Sequence, residues 1–229
     1  MSTRILRLNL SRLFWAVLLA IGSSLFVAAP VFATAPNVHA TAPHVQKAPP
    51  RLTAQWWQSF LSVKASTHPL SRCDVGPGKV VFLAGTGGGR ATRSCTISSD
   101  KKILVPMINV ECSQIEGNGN TSHKLRSCAA RFADRFTNLA LVVDGVAVHG
   151  DLARFRVRSP VFRFTSVANN VFGVPPATQT RSVADGYWAL LRPLSVGTHT
   201  VSFGGKYRPG HFVTAVKYTL TVRCGDLHR

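Results

Sequence analysis

The alternation of apolar and polar residues divides this chain into a leader, a short helix and a long series of strands. Leu13 to Phe26 is apolar, broken only by Gly22, Ser23 and Ser24. Between Leu52 and Val63, apolar residues fall at Leu52, Trp56 and Phe60, with Trp57 and Leu61 one step off, which predicts a short amphipathic helix at one edge of a domain. From Lys79 the period shortens. Lys79 to Ala84 predicts an apolar strand entering the glycine cluster Gly85 to Gly89, which reads as a flexible hairpin loop; Ser94 to Ile97 and Ile103 to Val110 predict further strands. Gly117 to Asn120 then breaks the pattern. Thr121 to Phe136 sets Leu125, Cys128, Ala129, Phe132 and Phe136 at three- and four-residue steps, predicting the main helix with Thr121 or Ser122 as its N-cap.

Leu139 to Val143 and Val146 to His149 flank Asp144-Gly145, whose residue types suit the positive φ angles of a tight type I′ hairpin. Phe155, Val157, Val161, Phe162 and Phe164 continue the sheet around a bend at Ser159-Pro160, and Asn169 to Thr180 reads as a loop. Tyr187 to Leu191, His199 to Phe203 and Phe212 to Val222 predict the last strands; in the final one Val216, Tyr218, Leu220 and Val222 oppose Lys217, Thr219, Thr221 and Arg223. About eight or nine short strands separated by regular turns predict a mainly β, immunoglobulin-like β-sandwich with one or two helices at its edge.

The leader changes the expected address. Arg4, Arg7 and Arg12 precede the apolar run, and Val31-Phe32-Ala33 offers small residues at a cleavage site, so residues 1–33 predict a signal peptide; Val38-His39-Ala40 is a second cleavage option. An uncleaved anchor competes, since the apolar run could span a bilayer as a helix of roughly 20 residues. Pro30 and the small-residue exit favour cleavage, leaving no transmembrane helix. Residues 34–50, with Pro36, Pro43, Pro49 and Pro50, predict a Pro-rich linker, and residues 51–229 the folded domain. The expected location is periplasmic or extracellular.

An oxidising compartment makes disulfides the expected use of the five cysteines. Cys73–Cys95 and Cys112–Cys128 would each close a short loop worth about 3 kcal/mol, leaving Cys224 over, free or joining two chains. A zinc cluster is the rival, but there is no Cys-x-x-Cys pair.

The chain carries 27 Lys+Arg against 9 Asp+Glu, a net charge of +18. Such a field attracts anionic partners, here an envelope glycan or lipopolysaccharide rather than a specific nucleic acid sequence. Solubility, or tolerance of acid through having few carboxylates, would account for dispersed charge equally well. The one dense group is Arg154, Arg156, Arg158 and Arg163, whose alternation would aim arginines from one sheet face; with Trp188 and Tyr207 these are the candidate binding residues. Trp56-Trp57 could form a carbohydrate platform, with core packing the alternative.

Catalytic signatures are sparse. The glycine cluster lacks the Lys-Ser or Lys-Thr of a phosphate loop and any dinucleotide fingerprint, so no cofactor is expected. Cys224 follows Thr219-Leu-Thr-Val-Arg, which resembles the strand end of sortases, but the cysteine comes one residue late and no later strand follows to carry an arginine. No Gly-x-Ser-x-Gly elbow occurs, and the histidines form no compact ligand set; His149 and Asp151 are the nearest pair. Asp144 and Asp185, each before a glycine, read as turn formers. Glu111 stands apart at the end of an apolar strand. It is expected to pair with Arg93 or Arg126 as a structural residue; otherwise it is the carboxylate of a polymer hydrolase, with Asp185 or Glu116 as its second acid.

Several phrases carry a resemblance: Val80-Val-Phe-Leu-Ala-Gly-Thr86, Pro106-Met-Ile-Asn-Val-Glu-Cys112, Leu125-Arg-Ser-Cys128, Arg156-Val-Arg-Ser-Pro160, and Ala184-Asp-Gly-Tyr-Trp188 followed by Pro193-Leu-Ser-Val-Gly-Thr-His-Thr200. Together with Asp144-Gly145 they resemble a family of exported bacterial proteins of uncharacterised activity, over roughly Trp56 to Val222. The resemblance implies an envelope or extracellular protein and transfers no catalytic residue. The expectation is thus an exported binding module without enzymatic activity, with a cell-wall or extracellular polymer hydrolase and a structural partner-binding protein as alternatives.

Overall fold

The computed structural model describes residues 44–67, 76, 78–170 and 173–224. Its elements are β1 (Val45–Lys47), α1 (Pro50–Leu61), β2 (Val80–Phe82), β3 (Gly89–Ser98), β4 (Lys102–Ser113), α2 (Ser122–Ala133), β5 (Phe136–Val143), β6 (Val146–Ala147), β7 (Arg156–Arg158), β8 (Phe162–Ser166), β9 (Ala177–Leu191), β10 (Gly197–Tyr207) and β11 (Phe212–Arg223). The chain is mainly β, with two sheets packed in a sandwich-like arrangement and two helices, as the residue pattern predicts. The back sheet runs β1-β9-β4-β2, with β7 and β8 also paired to β9; the front sheet runs β3-β11-β10-β5-β6. Most pairs are antiparallel, but β2 with β4 and β3 with β11 are parallel.

The two central back strands are buried on both faces, which explains their near-continuous apolar sequence. Ile103, Val105, Tyr187, Ala189 and Leu191 face the front sheet and meet Leu141, Val201, Phe203, Tyr218 and Leu220 in the main core. Leu104, Ala184, Trp188 and Leu190 face the other way, under α1 with its Trp56, Trp57, Phe60 and Leu61. Trp56 stacks on Phe60 at 4.0 Å, meets Trp188 edge-on at 5.5 Å and donates from Nε1 to the Leu83 carbonyl at 2.8 Å. Trp56-Trp57 is therefore a core element, with only 4% and 7% of its surface exposed. Pro49 and Pro50 set the start of α1, where an absent N–H costs no helical bond.

Local chemistry sets the remaining boundaries. Asp144 and Gly145 have φ of 51° and 77°, and the tight hairpin between β5 and β6 forms on them. Thr121 caps α2 by accepting from the Lys124 N–H at 3.2 Å. α2 closes over the far end of β4 and β9, where Leu125, Cys128 and Ala129 pack on Cys112 and Val183. The Cys112–Cys128 disulfide joins strand to helix there, with Cα atoms 6.1 Å apart.

Three local expectations are corrected. The glycine cluster is not a hairpin loop: it carries the chain from β2 in the back sheet to β3 in the front sheet, and Arg93 holds it by donating to the Ala84 and Gly85 carbonyls at 2.8 and 3.0 Å. Asp185-Gly186 is not a turn but the middle of the 15-residue β9. There the glycine lets two strands close, since a Cβ on Gly186 would stand 2.5 Å from the Asn109 Cα. The end of the expected linker is structured: Val45–Lys47 pairs with Ala189–Leu191, and Ala48 is buried. The predicted signal peptide and the first part of the linker lie outside the described residues. So does Cys73; Cys95, its expected partner, is not a free thiol.

Candidate functional site

The charge of this protein divides into cations used by the fold and cations left to solvent. Asp185 is fully buried and draws in the guanidinium of Arg156 through two bonds of 3.1 Å, and Nε of Arg158 at 3.1 Å. Arg156 also reaches Asp134, at the C-terminal end of α2, at 2.6 Å. Its partners, Asp185 foremost, hold its proton more tightly than usual. Residues 156 and 158 do alternate onto one face of β7, as expected, but Asp185 occupies that face. Arg154 donates to the Asp151 and His149 carbonyls at 3.0 Å and lies over the Phe155 ring; Arg163 donates to the Gln179 carbonyl at 3.0 Å.

The other expected contacts are not assembled with these arginines. Trp188 is fully buried, and Tyr207, at the end of β10 in the front sheet, packs half-buried against Phe132 and Phe136. The candidate set Arg154, Arg156, Arg158, Arg163, Trp188 and Tyr207 therefore does not form one ligand-facing surface.

Glu111 has neither expected arginine. Arg93 is engaged at the glycine crossover and with Tyr218, and no ion pair reaches Glu111 among the described residues. Its carboxyl instead meets that of Glu116, accepting from the Ser182 hydroxyl, while Ser113 donates to Glu116. Burial first, and Glu116 second, push Glu111 well above the usual carboxylate range. Glu111 is buried, with 8% of its surface exposed, whereas Asp185 is committed to arginines.

A serine, a histidine and an aspartate do meet at the hairpin end of the front sheet. His199 Nδ1 lies 2.7 Å from Asp144, and Nε2 lies 3.3 Å from the Ser195 hydroxyl. The nearer neighbour of Nε2, however, is the Ser195 carbonyl at 2.9 Å. Each ring nitrogen thus has an oxygen that only accepts as its nearest neighbour, Asp144 Oδ2 at Nδ1 and the Ser195 carbonyl at Nε2, with the hydroxyl farther away. The arrangement clasps the Asp144 turn to the loop before β10. His149 and Asp151 form no relay either: the Asp151 carboxylate caps the 3₁₀ turn Leu152–Phe155 by accepting from the Ala153 N–H at 2.8 Å.

One group of free cations lies on the outer face of the front sheet. A shallow groove of about 430 Å³ crosses it, with Arg90, Lys206 and Lys217 on its walls and Asn138, Thr92 and Ser202 between them. The strand register brings these residues together: Arg90 lies beside Ala215 and Gly204, and Thr92 beside Lys217 and Ser202. Ala215, Gly204 and Ala140 supply a low floor because they carry little or no side chain. No hydrogen bond or ion pair within the described residues engages the side chains of Arg90, Lys206 or Lys217, and no carboxylate lines the groove. This group has no compact signature in the sequence, because its members lie on four strands brought together by tertiary pairing. The one local signal was the alternation of Lys217, Thr219, Thr221 and Arg223.

No family model matches the chain, and neither does any curated protein or solved structure. No group of three or more metal-ligating side chains occurs among the described residues, and no helix there is long and apolar enough to cross a membrane.

Proposed function

We propose that this is an exported binding module for an anionic glycan of the bacterial envelope or its surroundings, and that the groove on the outer face of the front sheet is its contact site. The observation that carries this reading is the convergence of Arg90, Lys206 and Lys217 on one groove with no counter-ion among the described residues. Cations left unpaired on one concave surface hold an electrostatic potential that an incoming carboxylate or phosphate neutralises. The hydroxyls and amide between them suit the hydroxyl groups of a sugar. Export is supported by the leader pattern and by the Cys112–Cys128 bond, which needs an oxidising compartment.

The test is a pull-down on immobilised lipopolysaccharide and on polygalacturonate, with and without Arg90→Ser, Lys206→Ser and Lys217→Ser combined. All three are surface positions, so the variant should keep its melting temperature and lose retention on at least one matrix. Unchanged retention of the triple variant on every matrix that holds the wild type would reject the groove.

A further inference from the structure

The outer face of the front sheet extends well beyond the groove, and its register shows what kind of ligand would use all of it. Strands β3, β10 and β11 contain no Asp or Glu. Beyond the row Thr92, Lys217 and Ser202 come two rows of hydroxyls: Ser94, Thr219 and Thr200, then Thr96, Thr221 and Thr198. The last row brings Arg223 beside Ser98, and the Arg223 side chain, like that of Lys217, is exposed and without a bonded partner among the described residues. Lys217 and Arg223 lie on one strand six residues apart, which places them about 20 Å from each other. A single small anion reaches one end only. Both are satisfied by a chain bearing repeated negative groups, with its uncharged atoms over the hydroxyl rows.

Resting on the reading of the groove above, we propose that the occupant is a carboxylate-bearing polysaccharide lying along β11, with one anionic group at Arg90, Lys206 and Lys217 and another at Arg223. A single-stranded nucleic acid has comparable charge spacing but binds through bases stacked on aromatic rings. The outward positions of β3, β10 and β11 carry none, since Phe203 and Tyr218 point into the core. The hydroxyl rows suit sugar rings instead.

Calorimetric titration with galacturonate trimer and decamer, on the full chain and on Arg223→Ser, tests this. The decamer should bind the wild type at least about tenfold more tightly than the trimer, because the second contact is intramolecular. Arg223→Ser should bring the decamer close to the trimer and leave the trimer unchanged. Equal binding of trimer and decamer, or a decamer indifferent to Arg223→Ser, would overturn the extended site while leaving the groove as a small-anion site. Binding of neither oligomer removes the glycan reading altogether. Tighter binding of a decamer of single-stranded DNA than of the galacturonate decamer at equal salt would also overturn it.

Discussion

At the scale of single residues, buried carboxylates show how few acids this basic chain carries and how each is used. Glu111 has its ionisation shifted upward by burial and by Glu116. A carboxyl whose value is raised in the folded state stabilises the fold fully below its unfolded value of about 4.3, and that contribution is lost as pH rises through the folded value. Stability should therefore decline from mildly acidic toward alkaline pH. Glu111→Gln keeps the hydrogen-bonding shape and removes the titration, so urea unfolding at acidic and alkaline pH should show a flatter dependence for the variant. An unchanged slope would mean that Glu111 does not hold the proton. Asp185 has the opposite role, since its charge is what Arg156 and Arg158 are folded around. Asp185→Ala should destabilise by roughly 2–3 kcal/mol, less than a fully buried pair because both guanidinium groups reach solvent. Equilibrium unfolding measures it directly.

At the scale of elements, local chemistry was legible and long-range pairing was not. Asp144-Gly145 announced its hairpin, Thr121 announced the start of α2, and the Trp56, Phe60 spacing announced α1, because each depends on residues a few positions apart. Asp185-Gly186 misled, since the same dipeptide that favours a turn also lets β9 run close to Asn109. The glycine crossover misled for a similar reason: sequence shows that a chain can bend, not which sheet it enters next. The staple between β4 and α2 belongs to this scale. It closes a 16-residue separation, so Cys112→Ser with Cys128→Ser should cost about 3 kcal/mol, read as a lowered urea midpoint. Because the bond anchors α2 over Val183 and Cys112, proteolysis should attack the Gly117–Asn120 segment first in that variant. α1 depends on packing instead, and Trp56→Ala should cost about 3–5 kcal/mol by opening a cavity against Phe60 and Trp188.

Across the whole molecule, the two sheets have different surroundings and different uses of charge. The back sheet is covered on both faces, and Arg156, Arg158, Arg163 and Arg181 on its strands are drawn to Asp185, to the Gln179 carbonyl and to Gln114. The front sheet has one face in the core and one face open, and there the cations have no internal partner. Net charge was visible in the sequence from the outset, but the densest run of arginines is largely engaged with Asp185 and with backbone carbonyls. Runs report density along the chain, whereas a binding face depends on which charges remain after the fold has taken its share. The measurement that tests this division most directly is amide hydrogen exchange of the full chain with and without the polygalacturonate that retains it. Slowed exchange is expected in β3, β10 and β11 around Arg90, Lys206 and Lys217, with β7 and β8 unchanged. Protection confined to Arg156–Arg158 and Phe162–Ser166, with the front sheet unaffected, would contradict it.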